Sequence, residues 1–423
     1  MNTLPQLRSG SLAGATHLQL SEGLETFPHE ILELSESLRV LDLSGNRLTS
    51  LPPDFSRLGN LEILFCSENQ FEILPEVLGQ CPRLEMVGFK SNRLRTIPSL
   101  SLPDQLRWLI LTDNQLEELP ASLGERPRLQ KLMLAGNRLR SIPSTLCGHP
   151  KLELLRIAAN AMDHLPEWLF ELPRLAWLAT SGNPCSWNVS PRTGALIEWA
   201  SLRLGPVLGR GASGETLQAT TVSGSLAVKV FKAKTTSDGT PQDEMATFLA
   251  AGTHPHLARV LGEVVGHPQG RHALAMELLP AGSVTVGNPP DFQSCTRDTY
   301  APHTTFSAES VIQVSRAIAS VCSHLADRGI SHGDLYAHNI LVTPTERVYL
   351  TDFGAANRWD PTDRIQRRRW EGLEARAYGC LLDDLLTRTD PSHAPSVPLA
   401  ALRDACLDPN PRQRPAMEAW KIG

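Results

Sequence analysis

The chain has 423 residues, more than one hydrophobic core usually serves, so at least two domains are expected. Its formal net charge of -5 argues against a nucleic-acid binder, and its longest apolar runs are too short to span a bilayer, which excludes a membrane partner by this route. The first 17 residues lack a basic segment followed by an apolar one, and the eight cysteines show no CxxC spacing. Reduced thiols and a cytoplasmic location are therefore expected.

From Leu18 onward the chain repeats. Asparagines stand at 46, 69, 92, 114, 137, 160 and 183, spaced by 23 residues with one spacing of 22. Each sits in one frame: Leu38, Leu41, Leu43, Asn46, Leu48, Leu51-Pro52 returns as Leu61, Leu64, Cys66, Asn69, Phe71, Leu74-Pro75, and again from Leu129 to Pro143. Alternating leucines make short strands with one buried face, which a single coil cannot cover, so coils must stack. Where the chain leaves each strand, an Asn amide supplies two donors and an acceptor to inward-facing backbone. The Leu-Pro pair then ends the coil in an extended or turn conformation.

Over residues 15–185 this frame resembles the leucine-rich-repeat family, which implies an α/β solenoid with a parallel sheet on its concave side. One column between the frame leucines reads Val40, Ile63, Met86, Trp108, Lys131, Leu154, Trp177; the next contains Phe65, Ile110 and Met133. Such an apolar strip predicts a docking face, for a protein substrate or regulator or for this chain's own C-terminal half.

The repeat ends at Asn183-Pro184, and residues 186–203 read as a linker. Gly209, Gly211 and Gly214 then form a G-x-G-x-x-G frame, whose glycines let backbone amides approach phosphates. No helix pattern follows directly; the strand Leu226-Ala227-Val228-Lys229-Val230 does, which disfavours a dinucleotide fold. His332-Gly333-Asp334-Leu335-Tyr336-Ala337-His338-Asn339 and Asp352-Phe353-Gly354 come later, in that order.

Together these motifs resemble the protein-kinase family over 204–421. The resemblance implies a bilobal α+β kinase fold that uses ATP and Mg²⁺. By it, Lys229 contacts the nucleotide phosphates and Glu244 holds Lys229, with Asp243 as the alternative partner. Glu277 and Leu279, after the gatekeeper Met276, offer backbone groups to adenine. Asp334 accepts the proton of the acceptor hydroxyl, and Asn339 and Asp352 hold the metal. Val311, Val314, Ile318, Val321 and Leu325 space as the buried face of a helix. Leu373–Gly379 resembles the start of the large C-lobe helix, with Glu374 where the family has Asp, and Arg414-Pro415 resembles the closing box.

Several positions depart from the family. Gly333 replaces the Arg that normally receives an activation-loop phosphate, Tyr336 replaces a Lys, and only 19 residues separate Gly354 from Glu374. Control by a phosphorylated segment is therefore not expected. Glu371 is a candidate partner for Arg414, and Arg367-Arg368-Arg369 reads as a solvated face. The whole resembles a leucine-rich-repeat protein kinase of a bacterial-like cytoplasmic form, acting on Ser or Thr. The alternatives are a pseudokinase scaffold and a small-molecule phosphotransferase, the latter sharing the His-Gly-Asp wording.

Overall fold

A computed structural model describes residues 2–187, 194–211, 213–232, 236, 238–389 and 398–420. Part of the expected linker (188–193) and the expected C-terminal boundary at 421 lie outside the described residues. Two compact units emerge: Met1–Leu155 with Ala159–Leu172, and Arg156–Ala158 with Pro173–Gly423.

The first unit opens with α1 (Leu4–Arg8), capped by Thr3 and Gln6 reciprocally. Short strands follow: β1 (His17–Gln19), β2 (Val40–Asp42), β3 (Ile63–Phe65), β4 (Met86–Gly88), β5 (Trp108–Ile110), β6 (Lys131–Met133) and β7 (Leu154–Arg156), whose last residue belongs to the second unit. Successive strands pair in parallel, with Val40, Ile63, Met86, Trp108 and Lys131 in one row. Leu41, Leu64, Leu109 and Leu132 point inward and are fully buried. The asparagines satisfy the turning backbone. Asn137 Nδ2 donates to the carbonyls of Leu111 and Leu134, both at 2.9 Å, and its Oδ1 accepts the Leu116 N–H at 3.0 Å. Proline precedes most of the 3₁₀ turns that close each coil, as at Pro75, Pro98, Pro120 and Pro143. On the other face, Trp108 is half-buried beneath the Lys131 ammonium, 3.8 Å from its ring centre, so charge caps the apolar strip there.

The second unit contains β8 (Trp177–Ala179) and then a six-stranded sheet. Its strands are β9 (Ala195–Glu198), β10 (Arg203–Arg210), β11 (Gly214–Thr221), β12 (Gly224–Phe231), β13 (Val260–Val265) and β14 (Ala273–Met276), ordered β10-β11-β12-β14-β13-β9. Strand β9 lies within the stretch expected to be a linker and pairs in parallel with β13. Ala219, Val228, Val230, Val264, Ala273 and Ala275 form the core beneath the sheet. Helix α2 (Pro241–Ala251) follows β12.

Beyond β14 come β15 (Val284–Thr285), α3 (Ala308–Ala326), β16 (Ile330–Ser331), β17 (Ile340–Val342), β18 (Val348–Leu350), β19 (Asn357–Arg358), α4 (Arg364–Leu386) and α5 (Leu399–Cys406). The predicted apolar face of α3 is buried at Val311, Val314, Ile318, Val321 and Leu325. Helix α4 starts at Arg364, well before Leu373, because Asp363 caps it by accepting the N–H groups of Ile365 and Gln366. The basic run is thus helical and internally paired: Arg367 reaches Glu371 at 2.8 Å, and Arg368 donates to the Arg414 carbonyl. The expected Glu371–Arg414 pair is corrected. Buried Arg414 donates instead to the carbonyls of Gly372, Asp408 and Pro173, since carbonyls satisfy a desolvated guanidinium that Glu371 does not reach.

Candidate active site

Leu226, Val228 and Val230 of β12 point into the sheet core, so the intervening Lys229 faces the other side. Its Nζ lies 2.5 Å from Glu244 Oε1 and 3.3 Å from Asp352 Oδ1. Glu244 reaches it because α2 begins at an N-cap, Thr240, whose hydroxyl binds Asp243 through backbone and side chain. Asp243 therefore serves the cap, one residue out of register with Lys229. Burial pushes Glu244 up to about 7, against the pull of Lys229. Burial also opposes the Lys229 charge, but Asp352 and Glu244 outweigh it and hold the ammonium above its ordinary range. Surrounding protein atoms oppose the Asp352 charge only in part, since its side chain is 43% exposed, and Lys229 and the Gly354 N–H keep its carboxyl below the usual range.

Asp352 has a φ of +60°, a left-handed conformation that a non-glycine residue adopts at some cost. The Gly354 N–H stabilises it by donating to Asp352 Oδ1 at 3.1 Å. Phe353 is fully buried and stacks on Phe248 of α2 at 4.4 Å, which ties the helix carrying Glu244 to the segment carrying Asp352.

The loop from His332 to Asn339 is held from three sides. Glu374 of α4 accepts the Gly333 N–H at 2.9 Å, and burial pushes its carboxyl up to about 7. His332 Nε2 meets the Thr351 carbonyl at 3.0 Å. Asp298 accepts the Ala337 N–H at 2.6 Å and pairs with His338 Nδ1 at 2.5 Å; burial disfavours the imidazolium, but Asp298 leaves its pKa raised. Within the loop, Asn339 Nδ2 donates to Asp334 Oδ2 and to the Asp334 carbonyl, both at 2.9 Å. The Thr351 N–H donates to the Asn339 carbonyl at 2.9 Å, which sets Asp352 beside the loop.

Gly214 packs so closely that a Cβ would lie 2.4 Å from the Val230 carbonyl oxygen. At Gly209 and Gly211 a Cβ would meet nothing within 4 Å, leaving open space along the turn that the Gly211 N–H to Gly214 bond closes at 2.9 Å. Glu277 follows β14 and exchanges hydrogen bonds with the Arg259 backbone; Leu279 lies two residues further on.

Two residues from the repeat region also enter here, Arg156, which sequence reasoning missed, and Trp177, from the column read as a docking face. Arg156, 2% exposed, donates to the Gly333 carbonyl at 2.9 Å and to Asp334 Oδ1, and its Nε lies 2.8 Å from Asp238. Trp177, 1% exposed, donates from Nε1 to the Leu335 carbonyl at 3.1 Å and stacks on Tyr336. Of the two occupants left open for this strip, Trp177 meets the second, this chain's own C-terminal half: its ring covers the loop that carries Asp334. Thr180 and Leu178 also bind Asn357, and Ser181 the Ala356 carbonyl. A signal for Arg156 existed. It continues the column Asp42, Phe65, Gly88, Ile110, Met133 and brings a cation to its otherwise mostly apolar end.

The donor set suits Mg²⁺. Asp352 and the Asn339 side-chain carbonyl are hard oxygen donors, few in number as that ion prefers, and the Asn339 amide is already turned so that Nδ2 faces Asp334. Among the described residues no helix is long and apolar enough to cross a membrane.

Residues 202–378 match the family model described as protein tyrosine and serine/threonine kinase, and 36–94, 104–162 and 127–184 match the leucine rich repeat model. The chain is 26% identical over 215 residues to fibroblast growth factor receptor homolog 1 of Drosophila melanogaster, covering 44% of this chain and 29% of that protein. It is 35% identical over 83 residues to the serine/threonine-protein kinase US3 homolog of Gallid herpesvirus 2 (strain GA), 19% of this chain and 21% of the other. A third relative is the human PH domain leucine-rich repeat-containing protein phosphatase 1, 34% identical over 106 residues, 24% of this chain and 6% of the other. The chain thus spans less than a third of each of these curated relatives. It carries leucine-rich repeats followed by a protein-kinase domain.

Proposed function

We propose that this protein is an ATP- and Mg²⁺-dependent kinase that transfers the γ-phosphate to a Ser or Thr hydroxyl of a protein. The observation that carries the reading is the joined set Lys229–Glu244–Asp352 beside Asp334–Asn339, four charges and an amide that a binding scaffold does not need. In this reading the open glycine turn and Lys229 hold the nucleotide phosphates, and Glu277 and Leu279 present backbone groups to adenine. Asn339 and Asp352 hold Mg²⁺, which when bound neutralises charge developing on the phosphates. Asp334 takes the acceptor proton as the new O–P bond forms and the bond to the nucleoside diphosphate breaks. The domain extends over 204–421 and takes in strand β9 from the preceding segment 186–203, and the repeats lie at 15–185. The remaining strip around Trp108 recruits a protein partner, and the reaction runs in the cytoplasm, where ATP is supplied.

A scaffold of weak activity is the second reading, favoured by the guanidinium seated on Asp334. Purified protein incubated with γ-labelled ATP, Mg²⁺ and a lysate tests both. Label on protein hydroxyls is expected; label on small molecules, or none, overturns the proposal.

A further inference from the structure

Arg156 is buried with two hydrogen-bond acceptors in one segment, the Gly333 carbonyl and Asp334 Oδ1, and an ion-pair partner, Asp238, in another. Gly333 and Asp334 belong to the loop between β16 and β17, whereas Asp238 lies two residues before Thr240, the N-cap of α2. A buried guanidinium must be paired, and here each pairing pulls a different piece of the site toward one point. Just beyond Arg156 the chain runs close to the Asp238 segment: a Cβ built on Gly239 would lie 3.5 Å from the Ala158 Cβ.

Gly333 shows why the cation comes from so far away in sequence. Its φ is +68°, and a Cβ there would lie 2.3 Å from the Ala355 carbonyl oxygen and 2.7 Å from that of Leu178. No side chain fits, so the loop has no room for a base of its own before Asp334. The strand backbone occupies that space, and Arg156 delivers the positive charge. We propose that Arg156 is a positioning residue, clamping the Asp334 loop to the segment ahead of α2 so that Glu244 reaches Lys229 without any phosphorylated segment.

This deepens the kinase reading and rests on it. The surroundings favour a clamp over a block. The Lys229–Glu244–Asp352 set is assembled while Arg156 is in place. Asp334 keeps 20% of its side chain exposed, and each carboxylate oxygen retains a second lone pair beyond those used by Arg156 and Asn339. The strand is also not lightly held: Thr180 to Asn357 (2.7 Å), Asn357 to Leu178 (2.7 Å) and Trp177 to Leu335 (3.1 Å) are all buried bonds that undocking would break.

The full chain and its Arg156→Met, Arg156→Lys, Asp238→Asn and Arg156→Met/Asp238→Asn variants are compared in steady-state peptide phosphorylation. Arg156→Met is expected to lose about 10–100-fold in kcat with peptide KM within about threefold, and Arg156→Lys to recover part of it. Because Asp238 acts through Arg156, the double variant loses no more than Arg156→Met alone. A Met variant as active as wild type or more so overturns the clamp, as do additive losses. Should Arg156→Met fail to fold, Asp238→Asn alone is expected to lower kcat several-fold, and wild-type kcat there overturns it. If the wild type transfers no phosphate, the kinase reading fails separately. The clamp is then judged by amide exchange in 241–251 and 333–335, which Arg156→Met accelerates if the proposal holds and leaves unchanged if it does not.

Discussion

Trp177 lies face to face on Tyr336, with ring centres 4.4 Å apart and 8° between the planes. Its indole is buried and hydrogen-bonded, so Trp177→Ala removes packing and leaves the Leu335 carbonyl without a donor. A loss of about 3–5 kcal/mol is expected in urea unfolding of the second unit. Trp108→Ala, at a half-buried ring, is expected to cost under about 1.5 kcal/mol by comparison. Equal, small effects from both would show that Trp177 is not packed as described.

Asp334→Asn keeps the shape of the side chain and removes its ability to take a proton. Turnover is expected to fall about 10²–10⁴-fold while nucleotide affinity, measured by direct titration, barely changes. Lys229→Ala and Asp352→Ala are expected to be as inactive but to weaken nucleotide or Mg²⁺ binding as well. Normal turnover in Asp334→Asn would remove Asp334 from the role of base.

Phosphatase-treated protein is expected to begin turnover without a lag. Only Ala355–Asp363 separates Gly354 from the first residue of α4, and Gly333 offers no guanidinium for a phosphate on that stretch. A lag that prior incubation with ATP abolishes would contradict this.

Glu374 gives a pH dependence whose sign is opposite to that of an ordinary ion-paired carboxylate. Burial raises its folded-state pKa from 4.5 to about 7, so the folded state binds the proton more tightly than the unfolded one. Its contribution is present below pH 4.5 and is lost as pH rises through 7. Glu374→Gln can still accept the Gly333 N–H but carries no charge to desolvate. Relative to wild type, the variant is therefore expected to gain about 1–3 kcal/mol between pH 4 and pH 8 in urea unfolding. A pH-independent difference would mean that Glu374 ionises as an exposed carboxylate does.

The repeats were legible because one frame recurs and each copy has the same physical need, as the Asn137 bonds to Leu111, Leu134 and Leu116 make plain. The kinase architecture was legible because its short motifs follow one another in a fixed order. Less legible was whatever depends on residues far apart in the chain. Nothing near Gly333 announces that Leu178 will lie against it, and the Arg156–Asp334 contact joins positions 178 residues apart. Asp298, which holds Ala337 and His338, stands in a stretch with no periodic pattern at all. Likewise Leu196, Ile197 and their neighbours are too few to betray a strand until β13 supplies a partner.

That last strand bears on where the molecule can be cut. Gly262 of β13 approaches β9 so closely that a Cβ would lie 1.9 Å from the Ala195 carbonyl oxygen. A fragment starting at 204 leaves this margin of the sheet bare, with a row of unbonded amides and carbonyls ready to zip onto another chain. It also discards Ile197 and Trp199, which shield the sheet's apolar side. Such a fragment should precipitate or self-associate, whereas one that retains 195–203 keeps this margin of the sheet paired.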